Sequence, residues 1–309
     1  MSKHVYKYVG ASYLDDVLSK EGVSAKFSFP KDFNDPYELF LTIDFYEKPE
    51  VLALYADAIG ELPQIPTTCF SHSPAVTPMW AHYAQNLTGF AIEFDEEKLQ
   101  EHFPECRFDD VNYKPAADDM LKDILYRAYA IGKPRYFYML RNGVFNAAYF
   151  TKLECWGYES ERRMLILESE LRKHNGMMLL DIPKECVTAL ICGPRASQQT
   201  MQALQVVTDN LSCEYFQMKV GKSNAIPYFV DANGSSLSFS EKSISRVATC
   251  CKTCQEPVDA GSELCPWCQI NDAHKQDAID RNAYRILDHL GILEEYVKGM
   301  DDITYGRNR

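Results

Sequence analysis

Two Cys-x-x-Cys pairs, Cys251/Cys254 and Cys265/Cys268, stand ten residues apart in the last quarter of this 309-residue chain. No other feature restricts so sharply what a segment can fold into. Thiolates at this spacing close a tetrahedral site around one ion, zinc by ligand type, and so short an arc has little core of its own without metal. We therefore expect a zinc ribbon at 248–270, with 255–264 as a short hairpin. Four cysteine ligands leave no position for water, so the metal is expected to be structural. Cys250 is an adjacent thiol that competes for the ligand count. A redox dithiol needs only one such pair, beside a βαβ unit. The chain holds eleven cysteines in all. It is too long for a disulfide scaffold, and Met1–Tyr8 lacks the apolar core of a secretion signal. Reduced thiols, a metal site and a cytoplasmic location fit best.

At 46% apolar residues the chain has enough for one large core or two domains. No run of about twenty apolar residues occurs, so no membrane-spanning helix is expected. The net charge of −12 opposes non-specific coating of nucleic acid but leaves room for a local basic groove.

In chain order, alternation predicts strands at 4–9, 24–29, 67–71, 89–94, 160–167, 177–182, 187–192, 214–220 and 226–230, and a strand end at 111–113. Helices are predicted at 13–21 (capped by Ser12), 49–59, 79–83 (after Pro78), 96–102 and 197–210. A long helical insert at 118–151 is broken at 132–134 by Gly132 and Pro134. The mixture is α+β, with a mixed, largely antiparallel sheet. Ser, Gly and Asn enrichment from Asp231 to Ser245 suggests a linker, which gives domains at 1–235, 248–270 and 271–309 joined through 236–247. In the last segment Ile279, Ala283, Ile286, Leu287, Leu290, Leu293 and Val297 form a helical stripe interrupted by Gly291. It is expected to pack onto the body, with a homodimer contact as the alternative.

The stretch Lys152–Leu167 carries the candidate chemistry. Glu159 and Glu161 stand two apart before an apolar run, preceded by Trp156 and Tyr158 and followed by Arg162 and Arg163. On a strand, Glu159, Glu161 and Arg163 share one face, while Arg162, Met164 and Ile166 take the other. Like charges on one face raise each other's pKa unless a cation intervenes, so Arg163 is expected to pair with one of the two. Such carboxylates suit acid/base work or the stabilisation of a cationic transition state. A surface ladder of ion pairs explains the same residues equally well.

Several segments together resemble a bacterial family catalogued as domain of unknown function 2971, over about residues 4–195. They are Tyr6–Tyr8, Phe33–Glu38, Cys69–Ser71, Met79–Tyr83, Gly89–Phe94 and Trp156–Arg163. Members of that family are suspected in defence against phage, and the resemblance does not cover the ribbon.

A weaker resemblance is to ADP-ribosyltransferases, in which a basic residue on the first strand, a Ser-x-Ser motif and a Glu-x-Glu motif follow in that order. Here Tyr6-Lys7-Tyr8, Ser71-His72-Ser73 and Glu159-Ser160-Glu161 do so. Lys7 departs from the usual Arg or His, and the spacing is longer than in compact toxins.

This second resemblance implies an NAD-using enzyme with an ADP-ribosyltransferase-like sheet. Glu161 would hold the ribose 2′-hydroxyl, and Glu159 would orient or deprotonate the acceptor. Lys7 would face the pyrophosphate. Tyr8, Ser71, Trp80, Tyr83 and Arg163 would complete the cofactor site, although Trp80 and Tyr83 also fit core positions. The acceptor is protein, nucleic acid or water, with nucleic acid disfavoured by the overall acidity. Two rivals remain. One is a metal-dependent nuclease using Glu38, Glu93, Glu159 and Glu161; the other is a non-catalytic sensor or adaptor in a defence locus.

Overall fold

The computed structural model describes residues 3–19, 22–35, 43, 46–60, 63–116 and 119–306. Glu38, and with it part of the Phe33–Glu38 segment, lies outside them. The chain divides into two compact units, Met1–Val247 and Ala248–Arg309.

The strands of the first unit are β1 (His4–Val9), β2 (Gly22–Phe27), β3 (Thr67–Ser71), β4 (Phe90–Asp95), β5 (Arg107–Asp110), β6 (Asn112–Lys114), β7 (Thr151–Leu153), β8 (Glu161–Leu165), β9 (Arg172–His174), β10 (Met177–Pro183), β11 (Val187–Cys192), β12 (Glu214–Lys219), β13 (Tyr228–Asp231), β14 (Ser236–Ser240) and β15 (Ser243–Arg246). Its helices are α1 (Leu14–Val17), α2 (Pro49–Gly60), α3 (Thr77–Tyr83), α4 (Glu96–His102), α5 (Asp119–Ile131), α6 (Pro134–Phe150) and α7 (Gln198–Leu211).

Among the described residues, one sheet runs β15-β14-β13-β12-β11-β4-β1-β3-β8-β5, and smaller sheets pair β2-β10-β9 and β6-β7. All ladders are antiparallel except β11–β12 and β6–β7. The expected α+β class with a mixed, largely antiparallel sheet is what the chain adopts.

The large sheet has a core on each face, as period-two alternation requires. Val5, Phe70, Ile92, Phe94, Met164 and Leu190 pack on one side. Tyr6, Tyr8, Trp80, Ala91, Ile191 and Phe216 pack on the other. Strand β4 is buried at all six positions, as befits a central strand covered on both faces. Asp95 ends it and caps α4, accepting from the amides of Glu97 and Lys98. The insert predicted from helical spacing is present as α5 and α6. These pack with α2 into a separate cluster that includes Val51, Tyr55, Leu125, Leu140 and Val144.

Three expectations fail locally. The helix predicted at 13–21 is one turn, Leu14–Val17, because Leu18 already has extended backbone and bridges Val23 of β2. The linker at 236–247 is instead a hairpin of β14 and β15 within the sheet. Its Ser/Leu/Ser/Phe/Ser alternation sends Leu237 and Phe239 into the core with Tyr6. The polar signal before it is real turn chemistry: the Asp231 carboxylate accepts from the Asn233 and Ser235 amides, and Gly234 takes φ +80°.

The third concerns Glu159, which is not on a strand. It ends a 3₁₀ segment, Glu154–Glu159, and Ser160 then turns left-handed at φ 44° and ψ 55° before β8 begins at Glu161.

In the second unit the helices are α8 (Asp272–Arg281), α9 (Ala283–His289) and α10 (Leu293–Tyr305). The interruption expected at Gly291 is present, with φ +71°, and a further break falls at Asn282, which caps α9. None of the three buries a residue, and Ile279, Ile286 and Leu290 of the predicted stripe are exposed.

Candidate functional site

The site lies in a fork of the backbone. Strand β3 pairs with β1 only where Tyr6 faces Ser71. At its other end Thr67 bridges Ser28, and the Thr68 hydroxyl donates to the Lys26 carbonyl. So β3 leaves β1 for the edge of the small sheet. In the opening Lys7 Nζ donates to the Cys69 carbonyl at 3.0 Å, replacing a ladder bond by a side chain. A cavity of about 450 Å³ fills the fork, a volume suited to a small-molecule ligand.

Lys7, Ser71, Tyr83, Glu159 and Glu161 all line this cavity. The two carboxylates meet there by a route that the strand rule misses. Left-handed Ser160 turns the chain between them, and Lys152 of β7 stands where they converge. Its ammonium lies 2.7 Å from Glu159 Oε2 and 3.4 Å from Glu161 Oε2. Arg163 is fully buried and grips Glu161 with two bonds, Nε to Oε1 at 2.8 Å and Nη2 to Oε2 at 3.2 Å. Its third nitrogen, Nη1, donates to the Tyr149 carbonyl at 2.7 Å. The pairing expected of Arg163 is therefore present, with Glu161. Arg162 turns to the opposite face, to Glu96 at 2.6 Å and Asp110 at 3.3 Å.

Glu159 is held differently. Tyr83 donates to its Oε1 at 2.5 Å, and its backbone carbonyl accepts from Ser71 Oγ at 2.7 Å. The amide of Glu161 donates to the Tyr113 hydroxyl at 2.8 Å.

The environments push the carboxyls apart. Burial opposes the charge on both. At Glu161, Arg163 and then Lys152 outweigh it and hold the carboxyl at about 2. At Glu159 burial prevails over Lys152 and Tyr83, and the carboxyl is raised above its ordinary value. The two carboxyls therefore differ in acidity, Glu161 being held charged and Glu159 made easier to protonate. Burial also lowers the ammonium pKa of Lys7, against the pull of Cys69 and Glu161.

Two of the expected cofactor residues do not reach the cavity. Trp80 is fully buried, its indole N–H donating to the Pro74 carbonyl at 2.8 Å and its ring meeting Tyr8 edge-on at 5.1 Å. It is a core residue, because α3 turns His82 and Tyr83 toward the cavity and Trp80 away from it. Arg163 is sealed behind Glu161 and contacts no open space. Tyr8 lines the cavity but is itself largely buried, with its hydroxyl donating to the Ser73 carbonyl. His72 pairs with Asp110 at 2.7 Å, outside the cavity lining.

Sequence reasoning gave no role to Lys152, Tyr113 or Lys26. The signal for Lys152 was a lone cation closing the apolar run Ala147–Leu153, where only a buried counter-charge makes it tolerable. Lys26 of β2 was hidden because nothing in the sequence says that this strand faces β1 across a cavity.

Among the described members of the nuclease set, Glu93 stands apart from Glu159 and Glu161. Glu93 is engaged by Thr188 Oγ1 at 2.6 Å and does not line the cavity, while Glu159 and Glu161 already face two cations that would repel a divalent ion.

In the second unit Cys251, Cys254, Cys265 and Cys268 gather with their sulfurs all within 4.8 Å of one another. Cys254 and Cys265 sulfurs are 3.7 Å apart, close to the roughly 3.8 Å that Zn–S bonds of about 2.3 Å give at tetrahedral angles. A hairpin bridge from Cys250 to Pro257 directs Cys251 inward and leaves Cys250 exposed, which resolves the ligand count. The four thiols are compatible with a zinc site.

Residues 79–164 match the family model described as protein of unknown function (DUF2971). The resemblance read from the sequence is supported there. The matched span runs from α3 to β8 and so contains Tyr83, Lys152, Glu159, Glu161 and Arg163. No curated protein and no solved structure matches the chain. No helix among the described residues is long and apolar enough to cross a membrane.

Proposed function

We propose that the fork binds NAD and that the protein is an ADP-ribosyltransferase-like enzyme, with defence against phage as the expected setting. The observation that carries the reading is that Lys7, Ser71, Glu159 and Glu161, 154 positions apart at the extremes, line one cavity in the chain order the resemblance requires. Cleavage breaks the bond from ribose C1′ to nicotinamide, whose nitrogen keeps the electron pair. C1′ becomes oxocarbenium-like, and the fixed charge of Glu161 beside it stabilises that state. The acceptor's oxygen or nitrogen then bonds to C1′ and gives its proton to the Glu159 carboxylate. Lys26 supplies positive charge on the cavity wall for a pyrophosphate, Lys7 faces it with hydrogen-bond donors, and Tyr83 offers a ring for a base as well as a hydroxyl that positions Glu159. The four-cysteine cluster holds a structural zinc in this reading.

The test is nicotinamide release from NAD, with and without cell lysate as a source of acceptor. Wild type should release nicotinamide and label a lysate component. Glu161→Gln, which keeps the shape but not the charge, should lose about 10²–10³ in rate. Glu159→Gln should lose labelling more than NAD hydrolysis. Neither binding nor turnover of NAD by wild type, with lysate present, would sink the reading. It would favour the sensor or adaptor alternative, in which the Lys152 and Arg163 ion pairs are only structural.

A further inference from the structure

The chain is acidic overall, yet residues 124–153 contain Arg127, Lys133, Arg135, Arg141 and Lys152 and no Asp or Glu. Lys152 is consumed by the buried carboxylates. The other four are exposed on the α5–α6 hairpin. Rings are interleaved with them: Tyr138 is 71% exposed, and Tyr129 is exposed near the end of α5. The Arg135 guanidinium sits 4.7 Å over the Tyr136 ring and donates to its hydroxyl, and Arg135, Arg127 and Lys133 together draw that phenol below its ordinary pKa. Along one face of α6, Phe137, Tyr138, Arg141, Asn142 and Phe145 line an open groove of about 860 Å³. From Pro134 to Phe145 this face is about 16 Å long, the reach of roughly four or five stacked nucleotides.

We propose that the α5–α6 hairpin is a binding surface for single-stranded nucleic acid, its cations tracking phosphates and its rings stacking on bases. Charge complementarity selects this occupant: four exposed cations stand in an acid-free stretch of a protein whose net charge would otherwise repel a polyanion. A membrane surface is the weaker fit. The aliphatic side of α6, Leu140 and Val144, is already spent on packing against α2 and α5, so the outer side offers mainly rings and guanidiniums rather than an inserting wedge. The inference stands independently of NAD chemistry because its readout is binding. It also gives a local answer to the net acidity that disfavours nucleic acid globally.

The experiment is fluorescence anisotropy with the full-length protein and a labelled single-stranded oligonucleotide of about twelve residues, within the usual site sizes of about 4–16. Binding should weaken roughly 50-fold between about 50 and 200 mM salt if all four cations meet phosphates. Arg135→Glu with Arg141→Glu should abolish it, while Lys173→Glu, an exposed cation elsewhere, should not. Tyr138→Ala should weaken it by roughly 5- to 150-fold if one base stacks there. Far-ultraviolet circular dichroism confirms that these exposed variants fold. No binding at low salt, indifference to the charge reversal, or stronger binding to phosphatidylserine vesicles or poly-glutamate than to the oligonucleotide would each overturn the proposal.

Discussion

Arg163→Met is the substitution that most directly tests how the carboxylate site is held. Methionine fills much of the same space but removes, among other contacts, charge-assisted bonds of a side chain with no exposure: two to Glu161 and one to the Tyr149 carbonyl. Breaking a buried pair from one side costs about 3–5 kcal/mol, because the partner charge remains. Here Lys152, 3.4 Å from Glu161, remains as partial compensation, which places the expectation at the lower end, about 3 kcal/mol.

Linkage gives a second readout. The folded Glu161 carboxyl, at about 2, lies below its ordinary 4.5, so its ionised form stabilises the fold above pH 4.5. That stabilisation is lost as pH falls from 4.5 through 2. Glu159, with its raised value, contributes in the opposite sense, since protonation favours its folded form and offsets part of the loss. Without Arg163 the Glu161 value must rise, so its share of the acid-side dependence shrinks. Urea unfolding of wild type, Arg163→Met, Glu161→Gln and the double variant, each at pH 7 and pH 4, measures both effects. The double variant should be less destabilised than the sum of the singles, since no uncompensated carboxylate remains. Additive losses, or a loss below about 1 kcal/mol for Arg163→Met, would show that Arg163 does not hold Glu161 as described.

Two further outcomes follow from the local geometry. Purified protein should carry about one zinc per chain, and Cys265→Ser or a strong chelator should unfold the ribbon, since apparent metal binding there is worth about 10–16 kcal/mol; metal content together with protease resistance of 248–270 reads this out. Ser160→Gly should be neutral or stabilising by up to about 1 kcal/mol in thermal unfolding, because glycine accepts φ 44° without strain, whereas Ser160→Val should cost more than that.

What could be read from the sequence follows the range of the forces involved. Strands and helices came out largely where alternation and helical spacing put them, because both are local periodicities that burial on one side imposes. The clustering of Cys251, Cys254, Cys265 and Cys268 was legible because four thiols at that spacing have few other uses. The short first helix and the lost linker show the limit. Leu14, Val17 and Leu18 have helical spacing, but pairing of Leu18 with Val23 ended the helix after one turn. The serines of 236–240 looked like linker composition, while Leu237 and Phe239 between them were strand residues with a core to enter.

The carboxylate pair converges by a route other than the pleat of a strand. A strand through Glu159 would have aligned the two side chains by pleat alone, and the pair would have needed only Arg163. Instead a residue in the left-handed region joins a 3₁₀ turn to β8, and the convergence depends on Lys152 from the strand that ends the helical insert. A buried lysine between two buried glutamates is costly in isolation; among the described residues each of these charges is answered within 3.4 Å. No spacing rule could announce it, because Lys152 and Arg163 lie eleven positions apart, on different elements, and both reach Glu161. The same closure sets the chemistry the site can do. With Arg163 and Lys152 both on Glu161, and Tyr83 and Lys152 on Glu159, the two carboxyls differ in acidity because their partners differ, so exchanging a partner should alter the site's protonation more surely than altering either glutamate's neighbours in sequence.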